Sequence, residues 1–223
     1  MSKIIKIFIF LVVALAAFNK QILSYFLIYG FSNWTERKIT VDTIKINYGK
    51  NLLKIHGLKV KNHGKFFFKD MAYIKEISIH YNFSSMFTDL VIIDSLEIEK
   101  PIFYYEIIKK SPDVYIDNAG VAEKITTIYP DKIWPAKKKD KNFLIVKIKI
   151  KEGKAFIKSP YDPAVEEIKL SNMKFNKVGN EKNYQHYKNV LSLILFDIIS
   201  RSPNMELKKL VENLMKNFAV YDN

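Results

Sequence analysis

The chain has 223 residues, with 36 Lys and Arg against 23 Asp and Glu, and a formal net charge of +13. The absence of cysteine excludes disulfides, thiolate catalysis and zinc sites built on cysteine. The length suits one sizeable domain behind an anchor, and the spread of lysines suits an anionic lipid surface, a nucleic acid or a solvated face.

An apolar segment lies near the start of the chain. Ile7 to Phe18 is uninterrupted after two lysines, and the run reaches Ile28 if a few polar residues within it are accepted. About 20 apolar residues span a bilayer, so we predict a transmembrane signal-anchor helix with its extension over residues 1–30. The residues assigned to the membrane anchor are Ile7, Phe8, Phe10, Leu11, Val12, Leu15 and Phe18.

A cleaved signal peptide is the alternative to this anchor. Ala14-Leu15-Ala16 offers a small-residue cleavage site after a charged start. Ile22, Leu23 and Phe26 continue a helical apolar stripe beyond that site, and cleavage would leave this stripe without its first half. The pattern therefore favours an uncleaved anchor.

Short amphipathic strands fill the stretch from Ile39 to Ile107. Apolar residues alternate with polar ones, and the alternation changes parity near Asp42, Gly57 and Lys75. An inserted residue of this kind indicates a β-bulge, so we predict bent strands that are apolar on one side. Turn residues follow at 48–51, 62–65 and 82–85, as in hairpins. Pro101 cannot donate to a ladder and predicts an edge position or a strand start.

The apolar side of these strands is the candidate binding surface. We predict that it contributes to a lipid-facing groove, because the remaining helices offer little to cover a long apolar sheet. The alternative is a closed core filled by the protein's own aromatic side chains. The residues assigned to the groove are Ile44, Ile46, Leu53, Ile55, Ile77, Ile79, Leu96 and Ile98.

The second half of the chain continues with strands and ends in helices. Prolines and a lysine run predict an irregular loop at 109–141, and alternating segments predict strands at 144–150, 155–157 and 168–175. Two stripes at helical spacing predict C-terminal helices within 179–223. Their members are Tyr187, Val190, Leu191, Ile194 and Ile198, then Leu207, Leu210, Val211, Leu214 and Phe218. The predicted fold is α+β and mainly β: an N-terminal transmembrane helix, a curved, bulged antiparallel sheet of about eight strands, and two C-terminal helices.

The sequence contains no recognisable catalytic or metal-binding motif. His56, His63, His80 and His186 lack metal-ligand spacing, and phosphate-binding glycine loops and nucleophile elbows are absent. Glu166 and Glu167 alternate across a strand and so point to opposite faces. We therefore expect no enzyme activity, no cofactor and no metal. Aromatic residues beside lysines could stack nucleobases, but a membrane anchor argues against nucleic acid as a partner.

The order of strands and turns resembles a known family. The sequence ITVDTIKI…LLKIHGLKVKNHGKFF…AYIKEISIHYNFSSMF…VIIDSLEIEKPIFYYE is similar to the N-terminal region of AsmA-like proteins, which are grouped with chorein-type and TamB-type N-termini. The residues in matching places are Leu58, Val60, Asn62, Gly64, Phe66, Leu96, Ile98, Pro101 and Glu106, while His63 stands where the family usually has Pro.

This resemblance implies a domain organisation, a function and a location. Residues 31–178 would form an AsmA-like curved β-sheet domain between the anchor and the helices. The protein would be a non-catalytic envelope protein that handles lipid or assists envelope and outer-membrane assembly, with membrane lipids and other envelope proteins as partners. It would sit in a bacterial inner membrane as a single-pass protein with its C-terminal domain in the periplasm. The alternatives are a structural or protein-interaction module with a self-filled core and, if the N-terminus is cleaved, a secreted binder.

Overall fold

The computed structural model describes residues 24–25, 27–33, 35–62, 64–111, 114–118, 142–160, 162–181, 183–205 and 208–209. The predicted anchor residues, from Ile7 to Phe18, lie outside this part of the chain, as does the second predicted C-terminal helix apart from residues 208 and 209.

No helix in the described ranges combines the length and the apolar character needed to cross a bilayer.

The described chain is mainly β, as the alternation predicts. The strands are β1 Ile39–Thr40, β2 Thr43–Asn47, β3 Leu52–Lys61, β4 Asp70–Tyr81, β5 Leu90–Ser111, β6 Val114–Asp117, β7 Asn142–Lys151, β8 Lys154–Ser159, β9 Asp162–Lys169, β10 Met173–Gly179 and β11 Gln185–His186. Helix α1 spans Tyr187–Ser200, and residues 24–25, 27–33, 35, 205 and 208–209 are also helical. Strands also occupy residues 109–111 and 114–117, where we predicted an irregular loop.

The strands form one large, mostly antiparallel sheet, but it is larger and more mixed than predicted. It has 11 strands among the described residues rather than about eight. β5 pairs antiparallel with β4 and parallel with both β7 and β8, and β10 pairs parallel with β11. Parallel strands are usually joined by a connection of about a dozen residues or more, and the stretch between Asp117 and Asn142 provides this length for the pairing of β5 with β7, whereas β10 and β11 are joined by residues 180–184 alone. Alternation within a strand reports its faces and not its direction, so the sequence could not reveal these pairs.

Pro101 lies inside the sheet, which corrects the prediction of an edge or a strand start. It is buried in the middle of β5, opposite Ile74 of β4. The preceding residue, Lys100, has a φ of 50°, a left-handed conformation. Proline is accepted in sheets at such local irregularities, where a ladder bond is already interrupted.

The three parity changes predicted from the sequence line up across the sheet with two further positions that were not predicted. Asp42, Gly57, Lys75, Lys100 and Glu152 fall opposite one another, because the pairs on either side of them keep one continuous register. We call this line the crease. The predicted bulges at Asp42, Gly57 and Lys75 therefore do not shift the pairing; the register shifts that occur in β3 and β4 lie at Val60/Lys61 and His80/Tyr81. Each strand changes face at the same level as its neighbours.

Left-handed backbone conformations build the crease. Gly57, Lys100 and Glu152 have φ values of 64°, 50° and 51°. At Gly57 the conformation also serves close packing, since a Cβ there would lie 1.9 Å from Oδ2 of Asp42. The Nζ of Lys100 lies 3.3 Å from the Oε2 of Glu152, which pairs two crease residues across neighbouring strands.

Two apolar clusters cover the same side of the sheet. The helix-covered cluster is Tyr105, Ile107, Ile148, Ile150, Ala155, Ile157, Ile168, Leu170, Val178, Val190, Ile194, Ile198 and Ile199. The N-terminal cluster is Ile39, Ile55, Leu58, Val60, Ala72 and Ile77, with Phe31 packed against it. The predicted stripe of α1 supplies Val190, Ile194 and Ile198 to the first cluster. Residues from both sides of the crease share the second, so the apolar side is continuous across it.

Three residues of the family-like pattern meet in one place. The buried carboxylate of Glu106 on β5 accepts the backbone N–H groups of Phe67 and Phe68 at 2.9 and 3.1 Å. The side chain of Asn62 donates to the carbonyl of Phe68 at 3.2 Å, and Phe66 is buried beside them. These bonds hold the connection between β3 and β4 against β5. The backbone donors satisfy this carboxylate, which explains how an acidic residue is accommodated at a buried position of β5.

Candidate lipid-facing surface

Two rows of apolar side chains cross six neighbouring strands. The first row is Ile46, Leu53, Ile79, Leu96, Ile148 and Phe175, and the second is Ile44, Ile55, Ile77, Ile98, Ile150 and Met173. Each member is the direct cross-strand partner of the next, so all twelve side chains lie on one side of the sheet at Cβ spacings of about 4.5–5.5 Å. We call these twelve residues the apolar face. All eight residues predicted for the groove belong to it.

Sequence reasoning missed four members of this surface. Ile148 and Ile150 lie on β7, and Met173 and Phe175 lie on β10. Their alternation was visible in the sequence, but their position beside β5 depends on a parallel, non-local pairing. The predicted surface is therefore the β2–β5 part of a longer one.

Burial varies along the apolar face. Ile55 and Ile77 are exposed by only 2% and 8%, and Ile148 and Ile150 by 6% and 2%. The other eight members are half-buried, including Ile46 on the edge strand β2. Helix α1 packs near Met173 and Phe175, while Phe31 packs near the β3 and β4 positions. The face thus keeps partly exposed apolar area on β2, β5 and β10.

The other side of the sheet is charged and forms a ladder. Its two rows are Lys45, Lys54, Ser78, Glu97, Lys149 and Lys174, and Thr43, His56, Glu76, Glu99 and Lys151. We call these residues the polar face. His56 lies here, 3.4 Å from Glu76, as expected for a polar-face histidine. Glu97 and Glu99 on β5 lie directly opposite Lys149 and Lys151 on β7, which stabilises that pairing. Lys45 and Lys54, in contrast, are like charges directly opposite each other.

Ion pairs in this ladder lower the pKa values of two carboxyl groups, those of Glu76 and Glu97. Lys54 donates to Glu76 at 2.8 Å, and this hydrogen bond is the main cause that lowers the pKa of Glu76 from its ordinary value of 4.5. Lys149 donates to Glu97 and lowers the pKa of that carboxyl in the same way, helped by Lys151. The polar face is therefore stabilised in the ionised state.

The carboxylates considered in the sequence lie apart. Glu167 bonds to Lys154 at 2.6 Å, whereas Glu166 accepts a hydrogen bond from the buried Ser202 hydroxyl. Their cross-strand partners, Phe156 and Ile157, confirm that they point to opposite sides of the sheet. Within the described part of the chain, no group of three or more acidic or histidine side chains is placed to hold a metal ion.

Comparison of the chain with protein-family models, with curated protein sequences and with solved structures finds no match. The AsmA-like resemblance therefore stays a prediction. The function must be argued from the arrangement of the apolar and polar faces.

Proposed function

We propose that this protein is a non-catalytic, membrane-anchored envelope protein of the AsmA-like group, and that it handles lipid by holding acyl chains against its apolar face. One observation carries the proposal: twelve apolar side chains form two unbroken rows across six strands, and eight of them stay half-buried. Anchoring rests on the apolar run from Ile7 to Phe18, and the inner-membrane location with a periplasmic domain rests on the family resemblance.

The size of the apolar face suits an acyl chain. Five strand spacings of about 4.8 Å give each row a length of about 24 Å. One leaflet contributes half of a hydrocarbon core of about 30 Å, so a row is long enough to hold the chain of one lipid. Each Å² of apolar surface withdrawn from water gains about 25 cal/mol, which supplies the driving force.

The polar face supports the same function from the other side of the sheet. The polar face carries five lysines against three glutamates, and the whole chain has 36 Lys and Arg against 23 Asp and Glu. A positively charged surface attracts anionic lipid headgroups at roughly 1 kcal/mol per basic residue near the membrane. One side of the sheet would then favour headgroups and the other acyl chains.

A self-filled structural or interaction module is the second candidate, and one observation favours it. Ile55 and Ile77, in the middle of the second row, are buried within the N-terminal cluster, against which Phe31 packs. If this packing extends over the whole face, the sheet needs no ligand.

Site-specific photo-crosslinking in cells separates these functions. We would place the crosslinking residue at Ile46, Leu53 or Ile79, which are half-buried, with Lys45 and Ser78 as controls on the polar face of the same strands. Lipid adducts that form more efficiently at the first three positions than at the controls would support acyl-chain binding. Adducts to the protein's own chain at all three would establish the self-filled module instead.

A further inference from the structure

Two turns meet at one end of the sheet. The turn at Tyr48–Lys50 joins β2 to β3, and the turn at Ser84–Phe87 joins β4 to β5. The pair Leu52 and His80, together with the bond from the Tyr81 N–H to the Asn51 carbonyl at 3.0 Å, places the turns side by side. The opposite end of β3 pairs with β1, so the turns lie about 30 Å along the sheet from the start of the domain.

These turns present large apolar side chains to solvent. Phe87 is 78% exposed, and Tyr48, Phe83 and Met86 are 52%, 51% and 40% exposed. The rings of Phe83 and Phe87 touch edge to face, with centroids 5.3 Å apart. We call these four residues the aromatic tip. Four such side chains in one place indicate a contact surface, because single exposed apolar residues are common but clusters are not.

The Ser84–Phe87 turn satisfies its own backbone groups. The buried Ser85 hydroxyl donates to the Asn82 carbonyl and accepts the Ile92 N–H, both at 2.8 Å. The N–H groups of Ser85, Met86 and Thr88 bond to Asn82, Phe83 and Ser85. Every polar backbone group that enters lipid must be paired internally, and these four N–H groups are paired within the turn or to its flanks.

Composition also favours lipid over a protein partner. Among residues 48–51 and 82–89 the only charged side chains are Lys50 and Asp89, so the tip brings little charge into an apolar layer. Tyr is enriched at membrane–water interfaces, and Phe is among the residues that interfacial segments bury at the boundary between headgroups and acyl chains. The net charge of +13 attracts the rest of the chain to an anionic bilayer.

We propose that the aromatic tip inserts into the interfacial layer of a lipid bilayer. Phe83, Phe87, Met86 and Tyr48 enter the acyl boundary, and the hydrogen-bonded Ser85 scaffold holds them there. The contact is distinct from the apolar face, so it stands whether or not that face holds acyl chains.

The absence of cysteine from the chain permits a clean test. Ser84→Cys places a single label between the two phenylalanines and keeps both, and Val165→Cys on β9 provides an exposed control away from the tip. The full chain, labelled with an environment-sensitive fluorophore, is reconstituted in vesicles of phosphatidylethanolamine and phosphatidylglycerol. Nitroxide-bearing lipid is then added, either in the same vesicles or in protein-free ones.

We expect nitroxide lipid to quench the label at position 84 several-fold more than the label at position 165. The double change Phe83→Ser and Phe87→Ser should reduce quenching at position 84 to the control level, while circular dichroism shows the fold unchanged. Equal quenching at the two sites would overturn the proposal. So would quenching that survives the double change, or a tip that instead drives self-association of the chain without lipid. The crosslinks at Ile46, Leu53 and Ile79 report separately on the apolar face.

Discussion

The helix-covered cluster and the β2–β4 part of the apolar face arise from the same kind of sequence but end in different environments. Ile148 and Ile150 on β7 alternate with lysines, and Ile44 and Ile46 on β2 likewise alternate with polar residues. The first pair is nearly fully buried, whereas the second remains half-exposed. Alternation therefore defines which side of a strand is apolar. What covers that side depends on the strand's place in the sheet and on helix α1.

The largest expected effect comes from shortening an apolar side chain in each region. Ile157, in the helix-covered cluster, is 1% exposed, and Ile157→Ala should destabilise the protein by about 2–5 kcal/mol through lost burial and a residual cavity. Ile46→Ala should cost less, about 1–2 kcal/mol, because part of its side chain is already exposed to solvent. Urea unfolding of the full chain in mild detergent, followed by circular dichroism, measures both. Equal losses would mean that the two regions are packed alike.

The crease provides a sharper test, because it crosses both regions. Gly57→Ala should destabilise the fold by at least about 1–2 kcal/mol, since an alanine there would adopt a left-handed conformation. Its Cβ would also clash with Asp42. Adding Asp42→Ala should recover part of the loss by removing the clash and leaving the backbone strain. Gly64→Ala is the control, since a Cβ at Gly64 meets no atom within 4 Å. Thermal unfolding that ranks Gly64→Ala as the worse change would contradict this account.

The smallest expected effect concerns the polar face, which lies behind both regions and should not distinguish them. The folded-state pKa values of Glu76 and Glu97 are lowered, so their stabilisation is full above the unfolded value near 4.5 and disappears as pH falls through the folded value. Glu76→Gln and Glu97→Gln should each cost less than about 1 kcal/mol at pH 7. The cost should vanish as the pH falls through the lowered folded-state pKa values of the two carboxyl groups. A deficit that persists at low pH would show that packing, rather than charge, is responsible.

Local patterns in the sequence predicted the faces of the strands but not their neighbours. The turns at 48–51, 62–65 and 82–85, the apolar sets on β2 to β5 and the stripe of α1 all follow from periodicity within short segments. The parallel pairing of β5 with β7 brings together residues about fifty positions apart, and no local signal marks it. The apolar face was therefore predicted only as far as β5.

Pro101 and Gly57 show why the rest could not be predicted. Each residue read by itself indicates an interruption of its own strand, and we interpreted them as an edge and a bulge. Both residues lie at or next to the crease, because Lys75 lies opposite Gly57 and Glu152 lies opposite Lys100, the neighbour of Pro101. Only the assembled sheet reveals this alignment. The aromatic tip was missed for a related reason. Its residues come from two turns that meet only after β3 and β4 have paired.

The crease restricts how this chain can change in length. A deletion of one residue on either side of Gly57 would move every side chain in the remainder of β3 to the opposite face of the sheet. Its lysines would then lie among apolar side chains, while the side chains of β2 and β4 would keep their faces. The neighbouring strands could not compensate unless each lost a residue at the same level. Insertions and deletions in related chains should therefore be confined to the turns and to the connection between β6 and β7, and the number of residues between the crease and each strand end should stay constant.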